Sequence, residues 1–259
     1  MRIIISPAKK MNVDTDKIEC QGLPVFLDQT KEILDWLRDQ SGADLQKLWG
    51  CNDKIAEQNY LRIREMDLHN RLTPAILSYE GIAYQYMAPA VFEDSSFDYV
   101  QEHLRILSGF YGVLKPMDGV TPYRLEMQAK AAIGGHKDLY DLWGQRLYDE
   151  VSDGTGVIVN LASKEYSKCI EKYLKPNDYY VTVIFGEMVK GKLVTKGTYA
   201  KMARGEMVRY MAENGIEDPG DIKNFDRLGY FYRDDLSNAA EIVFERRSLR
   251  NYQISERNA

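Results

Sequence analysis

Hydroxyl and lysine side chains follow an apolar run at two points of the sequence. Ser6 and Lys9 come directly after residues 3–5, and Ser163 and Lys164 come directly after residues 157–161. Backbone N–H groups at the end of a strand point outward, so a hydroxyl and an ammonium group placed there suit anion binding. Taken alone, Ser163 is better explained as the N-cap of the helix that follows it.

The densest group of cations lies in residues 192–209, where five basic side chains stand against one acid, Glu206. Lys201 and Arg204 are three residues apart and share one face of the predicted helix. An isolated charge run is more often a solvated helix face than an anion-binding surface. The excess of cations over acids here makes the two explanations more nearly equal. Gly205 costs about 1 kcal/mol in a helix interior, which indicates close packing or access for a ligand.

A third candidate is the stretch 103–127, which carries Arg105, Lys115 and Arg124 among five glycine and proline residues. Glycine permits close backbone approach and proline fixes the chain direction, so basic side chains here lie on short turns. Such turns can hold a phosphate. The stretch fits an ordinary helix-to-loop junction equally well.

The overall charge limits where polyanions can bind. The 259 residues carry a net charge of −5, with 44% hydrophobic and 28% charged residues, which is typical of a globular protein. An acidic surface does not attract nucleic acid as a whole. Any polyanion site must therefore be a local basic patch, and the positions of the cations matter more than their number.

The remaining composition indicates a cytoplasmic protein. Three separated cysteines, Cys20, Cys51 and Cys169, form no disulfide framework, and the apolar run at the start is too short for a signal peptide. No stretch has the length of a membrane span, so we predict no membrane partner. Residues 186–193 depart from the P-loop pattern at Leu193, and the three histidines lack ligand spacing. We predict no cofactor and no metal.

Hydrophobic periodicity predicts one α/β domain over residues 1–259, with a mixed sheet flanked by helices. The predicted strands are residues 3–5, 75–79, 157–161, a hairpin over 179–195, and a pair at 230–232 and 242–244. The predicted helices are residues 23–38, 45–58, 97–107, 138–151 and 199–213.

The motifs of this chain, in their order, resemble the YaaA family of peroxide stress resistance proteins. They extend over nearly the whole chain, so the match is specific. One departure is Met202, where members of the family often carry another lysine. The motifs are Ser-Pro-Ala-Lys at 6–9, His-Leu-Arg-Ile-Leu-Ser-Gly at 103–109, Pro-Tyr-Arg-Leu-Glu-Met at 122–127, Asn-Leu-Ala-Ser at 160–163, Tyr-Ala-Lys at 199–201 and Ala-Arg-Gly at 203–205.

The resemblance implies a cytoplasmic protein that binds DNA in a basic cleft and limits free iron during hydrogen peroxide stress. It also implies a fold peculiar to the family, with a helix-hairpin-helix element. Residues 107–112 are the candidate for the hairpin of that element.

Two functions remain open. The first is non-enzymatic binding of duplex or branched DNA through backbone phosphates, with little sequence preference. The expected phosphate-binding residues are Lys9, Lys10, Arg105, Lys115, Arg124, Ser163, Tyr199, Lys201 and Arg204. The spacing of the residues does not predict an oligomeric state.

The alternative is an enzyme that acts on a phosphorylated or nucleotide-like small molecule in the same cleft. Arg105, Arg124 and Lys201 would clamp the anion. Ser163, Glu126, Glu165 or Tyr199 would perform acid–base chemistry, and the sequence does not choose among them. A deep pocket with a carboxylate of perturbed pKa would favour the enzyme, and an open basic groove would favour DNA binding.

Overall fold

Strands and helices are interspersed along the chain. The computed structural model describes residues 1–15 and 18–247. The strands of these residues are β1 (Arg2–Ile5), β2 (Lys10–Met11), β3 (Thr73–Pro74), β4 (Tyr79–Glu80), β5 (Leu104–Ser108), β6 (Gly112–Leu114), β7 (Gly119–Val120), β8 (Val157–Asn160), β9 (Tyr179–Val189), β10 (Lys192–Val194), β11 (Tyr230–Tyr232) and β12 (Glu241–Arg246). The α-helices are α1 (Leu27–Asp39), α2 (Gly42–Trp49), α3 (Asp53–Glu65), α4 (Ala75–Ser78), α5 (Ile82–Met87), α6 (Asp94–His103), α7 (Leu139–Trp143), α8 (Arg146–Val151), α9 (Lys164–Glu171) and α10 (Gly197–Asn214).

An eight-stranded mixed sheet, flanked by helices, forms the centre of the fold. Its order is β11-β12-β9-β8-β1-β5-β6, with β10 paired to β9. Strand β1 is central and parallel to both neighbours, with Ile3 opposite Leu104 of β5 and Val159 of β8. Since parallel strands packed on both faces are apolar throughout, Ile3, Ile4 and Ile5 are all buried.

Helix α10 packs tightly against the short helix α5. A Cβ atom at Gly205 would lie 1.8 Å from the carbonyl oxygen of Ala83, so only glycine allows this approach. The sequence prediction that Gly205 serves close packing is therefore confirmed. This contact fixes the position of Lys201 and Arg204 relative to the sheet.

Most of the predicted elements are confirmed. The runs at 3–5 and 157–161 form β1 and β8, and the hairpin over 179–195 forms β9 and β10. Strands β11 and β12 pair antiparallel, with Tyr230 opposite Arg246. The helix predicted over 199–213 is α10, and it ends at Gly215 in the left-handed conformation.

Four predicted elements are wrong in type or extent. Residues 75–78 form the one-turn helix α4, and only residues 79–80 form a strand. The helix predicted through residue 107 ends at His103, and residues 104–108 form the buried strand β5. The predicted helices over 45–58 and 138–151 are each divided, the first into α2 and α3 and the second into α7 and α8.

The candidate helix-hairpin-helix segment does not join two helices. Residues 107–112 connect β5 to β6, which pair antiparallel with Ser108 opposite Gly112. The segment is therefore the turn of a β-hairpin, and its glycines belong to the connection between two strands of the sheet. Among the described residues, no helix is long and apolar enough to cross a membrane. The predicted single domain over 1–259 includes residues 248–259, which lie outside the described residues.

Candidate anion-binding site

The two strand ends singled out in the sequence are neighbours in space. After β1 the chain continues to β5 on one side, and it later returns to place β8 on the other side of β1. The carboxyl ends of β1 and β8 therefore flank the point where the order of the parallel strands reverses. A crevice at such a point is the usual ligand site of an open α/β sheet.

Ser6 and Ser163 connect the two strand ends directly. The Oγ atom of Ser6 accepts a hydrogen bond from the backbone N–H of Ser163 at 2.8 Å and donates to the Ser163 Oγ at 3.2 Å. Ser163 occupies the N-cap position of α9, but its side chain makes no capping hydrogen bond. The simpler explanation of Ser163 as a helix cap is therefore wrong, because its hydroxyl contacts the other strand end.

A pocket of about 370 Å³ opens beside these serines. It brings together six of the nine predicted site residues from four separate parts of the chain. These are Lys9, Lys10, Arg124, Ser163, Lys201 and Arg204.

Three of the cations are partly neutralised by acids at the pocket. Lys9 Nζ lies 2.8 Å from Glu126 Oε1, and Arg124 Nη2 lies 3.7 Å from the same oxygen. Lys10 Nζ lies 2.7 Å from Glu80 Oε1. Ion pairs that are exposed or partly exposed to water are weak. These three cations form the rim of the pocket, and their acid partners do not prevent them from contacting an anion.

Arg204 differs from these three cations because no acid pairs with it. No ion pair to Arg204 or to Lys201 occurs within residues 1–15 and 18–247, and the Nε atom of Arg204, like that of Arg124, is buried without a hydrogen-bond partner. The acids of α10 are engaged elsewhere, since Glu206 and Glu213 both pair with Arg227. Burial lowers the pKa of the Arg204 guanidinium. An anion in the pocket would pair with a partly desolvated charge that the described residues leave uncompensated.

Glu165 supplies a carboxyl group to the same pocket. It accepts a hydrogen bond from the backbone N–H of Gln128 at 3.2 Å. Burial raises the pKa of Glu165, although that N–H bond opposes the shift, and the neighbouring Glu126 raises it further. The site therefore contains one carboxylate paired with cations, Glu126, and one carboxyl group that binds its proton more tightly than usual.

Three tyrosines in the wall of the pocket were not assigned from the sequence: Tyr84, Tyr123 and Tyr166. Tyr84 donates to the Ser6 carbonyl at 3.0 Å, and the Tyr123 hydroxyl lies 2.6 Å from Ser108 Oγ. Tyr84 lies in the tyrosine-rich stretch 82–87, which has no clear period and left its placement open, whereas Tyr123 lies in the motif at 122–127 and Tyr166 follows the motif at 160–163.

A second, wider pocket of about 770 Å³ meets the first at Lys9 and Glu126. Its walls combine aromatic and basic side chains, including Trp36, Lys47 and Lys130. The two pockets together form a groove, which we call the basic groove. Acids also line this groove, with Asp44 and Glu126 in the second pocket and Glu165 in the first.

The structure does not bring Arg105 or Lys115 to the basic groove. Arg105 is 4% exposed, and its Nη1 donates to the carbonyls of Leu104 at 2.7 Å and Gln101 at 3.1 Å. Lys115 lines a separate cavity of about 310 Å³ with Asp118 and Glu150. The spacing of Arg105 and Lys115 in the sequence did not indicate that the fold places them away from the basic groove.

Tyr199 also lies away from the groove. The guanidinium of Arg246 is 3.8 Å from the centre of its ring, and Lys196 is 5.9 Å away on the same helix end. Its partners are thus Arg246 of β12 and Lys196 at the N-cap of α10. Within the described residues, no group of three or more His, Cys, Asp or Glu side chains is placed to hold a metal ion.

Comparison with known proteins identifies the family. The family model described as "Peroxide stress protein YaaA" matches residues 1–236. A UPF0246 protein of Agathobacter rectalis is 66% identical over 95% of this chain and 99% of its own length. UPF0246 proteins of Lachnoclostridium phytofermentans and Pediococcus pentosaceus are 55% and 51% identical, over 94% and 96% of this chain and 96% and 99% of their own lengths. The chain therefore belongs to the YaaA family of peroxide stress proteins.

Proposed function

We propose that this member of the family is a cytoplasmic protein that binds DNA through phosphate contacts in the basic groove and so limits iron-dependent oxidative damage to DNA. The observation that carries the proposal is Arg204, a half-buried cation that has no acid partner within the described residues and lines the pocket beside the ends of β1 and β8. Lys201, one turn away on α10, is a second cation without an acid partner in the same part of the chain.

Phosphate oxygens suit this arrangement of cations. A guanidinium presents several N–H donors in a fixed plane, which match the oxygens of a phosphate in pairs. The partly exposed cations at the rim, Lys9, Lys10 and Arg124, extend the contact along the groove. Contacts of this kind read the backbone and not the bases, so the expected binding has little sequence preference.

The test is charge reversal at Lys201→Glu and Arg204→Glu in one variant. We expect duplex DNA affinity to fall about 100-fold at low salt, and the slope of log affinity against log salt to decrease by about two, because each phosphate contact adds about one to it. Gel-shift titrations at several salt concentrations measure both quantities. The control variant, Lys31→Glu with Lys192→Glu, carries the same charge change outside both pockets.

The protective function has a separate test. Supercoiled plasmid is exposed to ferrous iron and hydrogen peroxide, and nicking is followed on agarose gels. We expect the protein to reduce nicking in proportion to DNA occupancy, and the Lys201→Glu, Arg204→Glu variant to give little protection. Equal protection by that variant would show that protection does not depend on DNA binding at this groove.

A second candidate function is enzymatic, and Glu165 favours it. A carboxyl group in a pocket whose burial raises its pKa is suited to general acid catalysis on a phosphorylated or nucleotide-like molecule. Chromatography of nucleoside phosphates incubated with the protein tests this function. Product formation that is lost in Glu165→Ala supports it, and the absence of any product contradicts it.

A further inference from the structure

Glu126 lies where the two pockets of the basic groove meet, since it lines both of them together with Lys9. Its Oε1 atom is 2.8 Å from Lys9 Nζ and 3.7 Å from Arg124 Nη2, so one carboxylate oxygen faces two cations. A phosphate that binds at this point of the groove needs the same two cations. The carboxylate of the protein and a phosphate of the ligand therefore compete for one position.

The ion pairs of Glu126 differ from the neighbouring pair at the rim. Lys10 donates a hydrogen bond of 2.7 Å to Glu80, and the side chains of this pair are 72% and 41% exposed. Glu126 and Arg124 are only 21% and 13% exposed, and the 3.7 Å between them is too long for a hydrogen bond. Since water screens an exposed pair, the charge of Glu126 acts more strongly on its cations than the charge of Glu80 acts on Lys10.

Arg124 is positioned by the fold, but the protein uses little of its donor capacity. Its Nη2 donates to the carbonyl of Trp49 at 3.4 Å, which is a long hydrogen bond, and its Nε is buried without a partner within the described residues. A guanidinium carries five N–H donors, and the contacts with Glu126 and Trp49 both involve Nη2. A ligand with several anionic oxygens can therefore offer this arginine more than the single carboxylate does.

A polyanion has an advantage in displacing the carboxylate. Lys9 and Arg124 carry two positive charges, and Glu126 compensates one of them. A monoanion that takes its place replaces like with like. A DNA strand is also held by other phosphates, at Lys201 and Arg204 of the first pocket, and this attachment raises the effective concentration of the phosphate next to Glu126.

We propose that Glu126 is an internal competitor for phosphate, which holds Lys9 and Arg124 while the groove is empty and is displaced when a polyanion binds. The affinity of the groove is then set by the exchange of one anion for another and not by its cations alone. That this polyanion is DNA rests on the proposed function. The competing role of an acid goes beyond it, because phosphate binding by itself requires no such residue.

The test replaces Glu126 with glutamine, which keeps the shape of the side chain and removes its charge. Glu126→Gln should bind a short DNA duplex about fivefold more tightly than the wild type, because Lys9 and Arg124 no longer leave an acid when they bind phosphate. Glu80→Gln removes the same charge from the exposed pair at the first pocket, and it should gain at most about twofold. Glu57→Gln, exposed on α3 and outside both pockets, is the control for net charge and should bind like the wild type. Fluorescence anisotropy at constant ionic strength measures the affinities, and thermal unfolding verifies that each variant is folded.

A double variant shows whether the effect depends on the paired cations. Lys9 is 63% exposed, so Lys9→Met should leave the fold intact. In this background Glu126→Gln should gain clearly less affinity than in the wild type, since one of the two cations that Glu126 holds is gone. An equal gain in both backgrounds, or an equal gain in Glu126→Gln and Glu80→Gln, would reveal a general effect of charge and overturn the role of Glu126 as a competitor.

Inorganic pyrophosphate separates this role from the proposed function, because its binding requires no DNA. Isothermal titration calorimetry should again show binding about fivefold tighter in Glu126→Gln than in the wild type. If the wild type binds DNA but Glu126→Gln changes neither affinity, the internal competitor is wrong and the proposed function stands. If no variant binds DNA but Glu126→Gln binds pyrophosphate more tightly, the proposed function is wrong and the internal competitor stands. Binding of neither ligand by any of these proteins would contradict both.

Discussion

Arg105, which is buried, and Arg204, which is half-buried, differ in what surrounds them. Both Arg105 and Arg204 have a buried Nε atom without a partner, and burial lowers the pKa of both. Arg105 nevertheless donates from Nη1 to two backbone carbonyls, those of Leu104 and Gln101. Arg204 makes no such contact within the described residues and faces a pocket.

The difference separates a structural arginine from one positioned for a ligand. A guanidinium that satisfies backbone carbonyls belongs to the fold, since its removal leaves those acceptors unpaired. A guanidinium without acceptors adds nothing to stability until an anion arrives. Burial or sequence context alone does not distinguish a structural arginine from one positioned for a ligand. The two differ in whether the guanidinium already has hydrogen-bond acceptors in the protein.

The largest expected effect concerns the packing that holds Arg204 in place. Gly205→Ala should reduce the stability of the fold by about 3 kcal/mol, because its Cβ would lie 1.8 Å from the Ala83 carbonyl oxygen. For a chain of this size, that corresponds to a fall in Tm of about 6–12 °C. The control is Gly197→Ala at the start of the same helix, where nothing lies within 4 Å of the added atom. Thermal unfolding followed by circular dichroism measures both. Equal Tm values would show that α5 and α10 are not in tight contact.

Replacing each arginine with methionine tests whether Arg105 supports the fold and Arg204 binds a ligand. Arg105→Met should cost about 2 kcal/mol of stability, because two carbonyls lose their donor, and the folded protein should bind DNA normally. Arg204→Met should leave stability within about 1 kcal/mol of the wild type and weaken DNA binding about 10-fold or more. Urea denaturation and gel shift on both variants provide the measurements. The reverse assignment of effects would overturn the distinction.

A smaller effect is expected in the pH dependence of stability, and it arises near Arg105. Burial raises the pKa of Asp118, near Arg105, to about 6. The folded state therefore holds this proton more tightly than the unfolded state, and stability falls as the pH rises from about 4 to 6. The loss above pH 6 should be about 1–3 kcal/mol in the wild type and absent in Asp118→Asn. Urea denaturation at pH 4.5 and pH 7 measures it, and parallel pH profiles of the two proteins would contradict the prediction.

At the pocket, the carboxyl group of Glu165 should affect anion binding as well as folding. The raised pKa of Glu165 means that it is neutral at low pH and becomes an anion as the pH increases. Phosphate binding should therefore weaken by a few-fold with rising pH in the wild type, and less in Glu165→Gln. Gel shifts at constant ionic strength between pH 5 and pH 8 detect the difference. A variant that keeps the full pH dependence would exclude Glu165 as its source.

The strands and helices that were predicted correctly are those whose hydrophobic pattern fits only one type of element. Continuous apolar runs at 3–5 and 157–161 form buried parallel strands, and the turn at Lys190 and Gly191 forms the expected hairpin. Residues 75–79 were assigned wrongly because a short apolar run fits a buried helix turn as well as a strand. The helix ending at His103 was extended too far because the next strand, β5, is buried on both faces and continues the apolar spacing by coincidence.

The candidate site was predicted in its parts but not in its assembly. The hydroxyls after β1 and β8 and the cations of α10 were identified from residue type and local context. That Ser6 and Ser163 touch depends on β8 pairing with β1, a contact across 157 residues that no local pattern contains. The same limit explains why Arg105 and Lys115, close to Arg124 in the sequence, are separated from it in space.

The central position of β1 affects how the protein is made. Strand β1 needs neighbours that begin about 100 and 155 residues later in the chain, so its pairing must wait until those residues have been synthesised. Contacts between distant residues slow folding and prolong the exposure of apolar segments, and residues 3–5 are such a segment. The nascent chain therefore cannot acquire its binding pocket early, and a fragment released before α10 emerges would lack both Lys201 and Arg204.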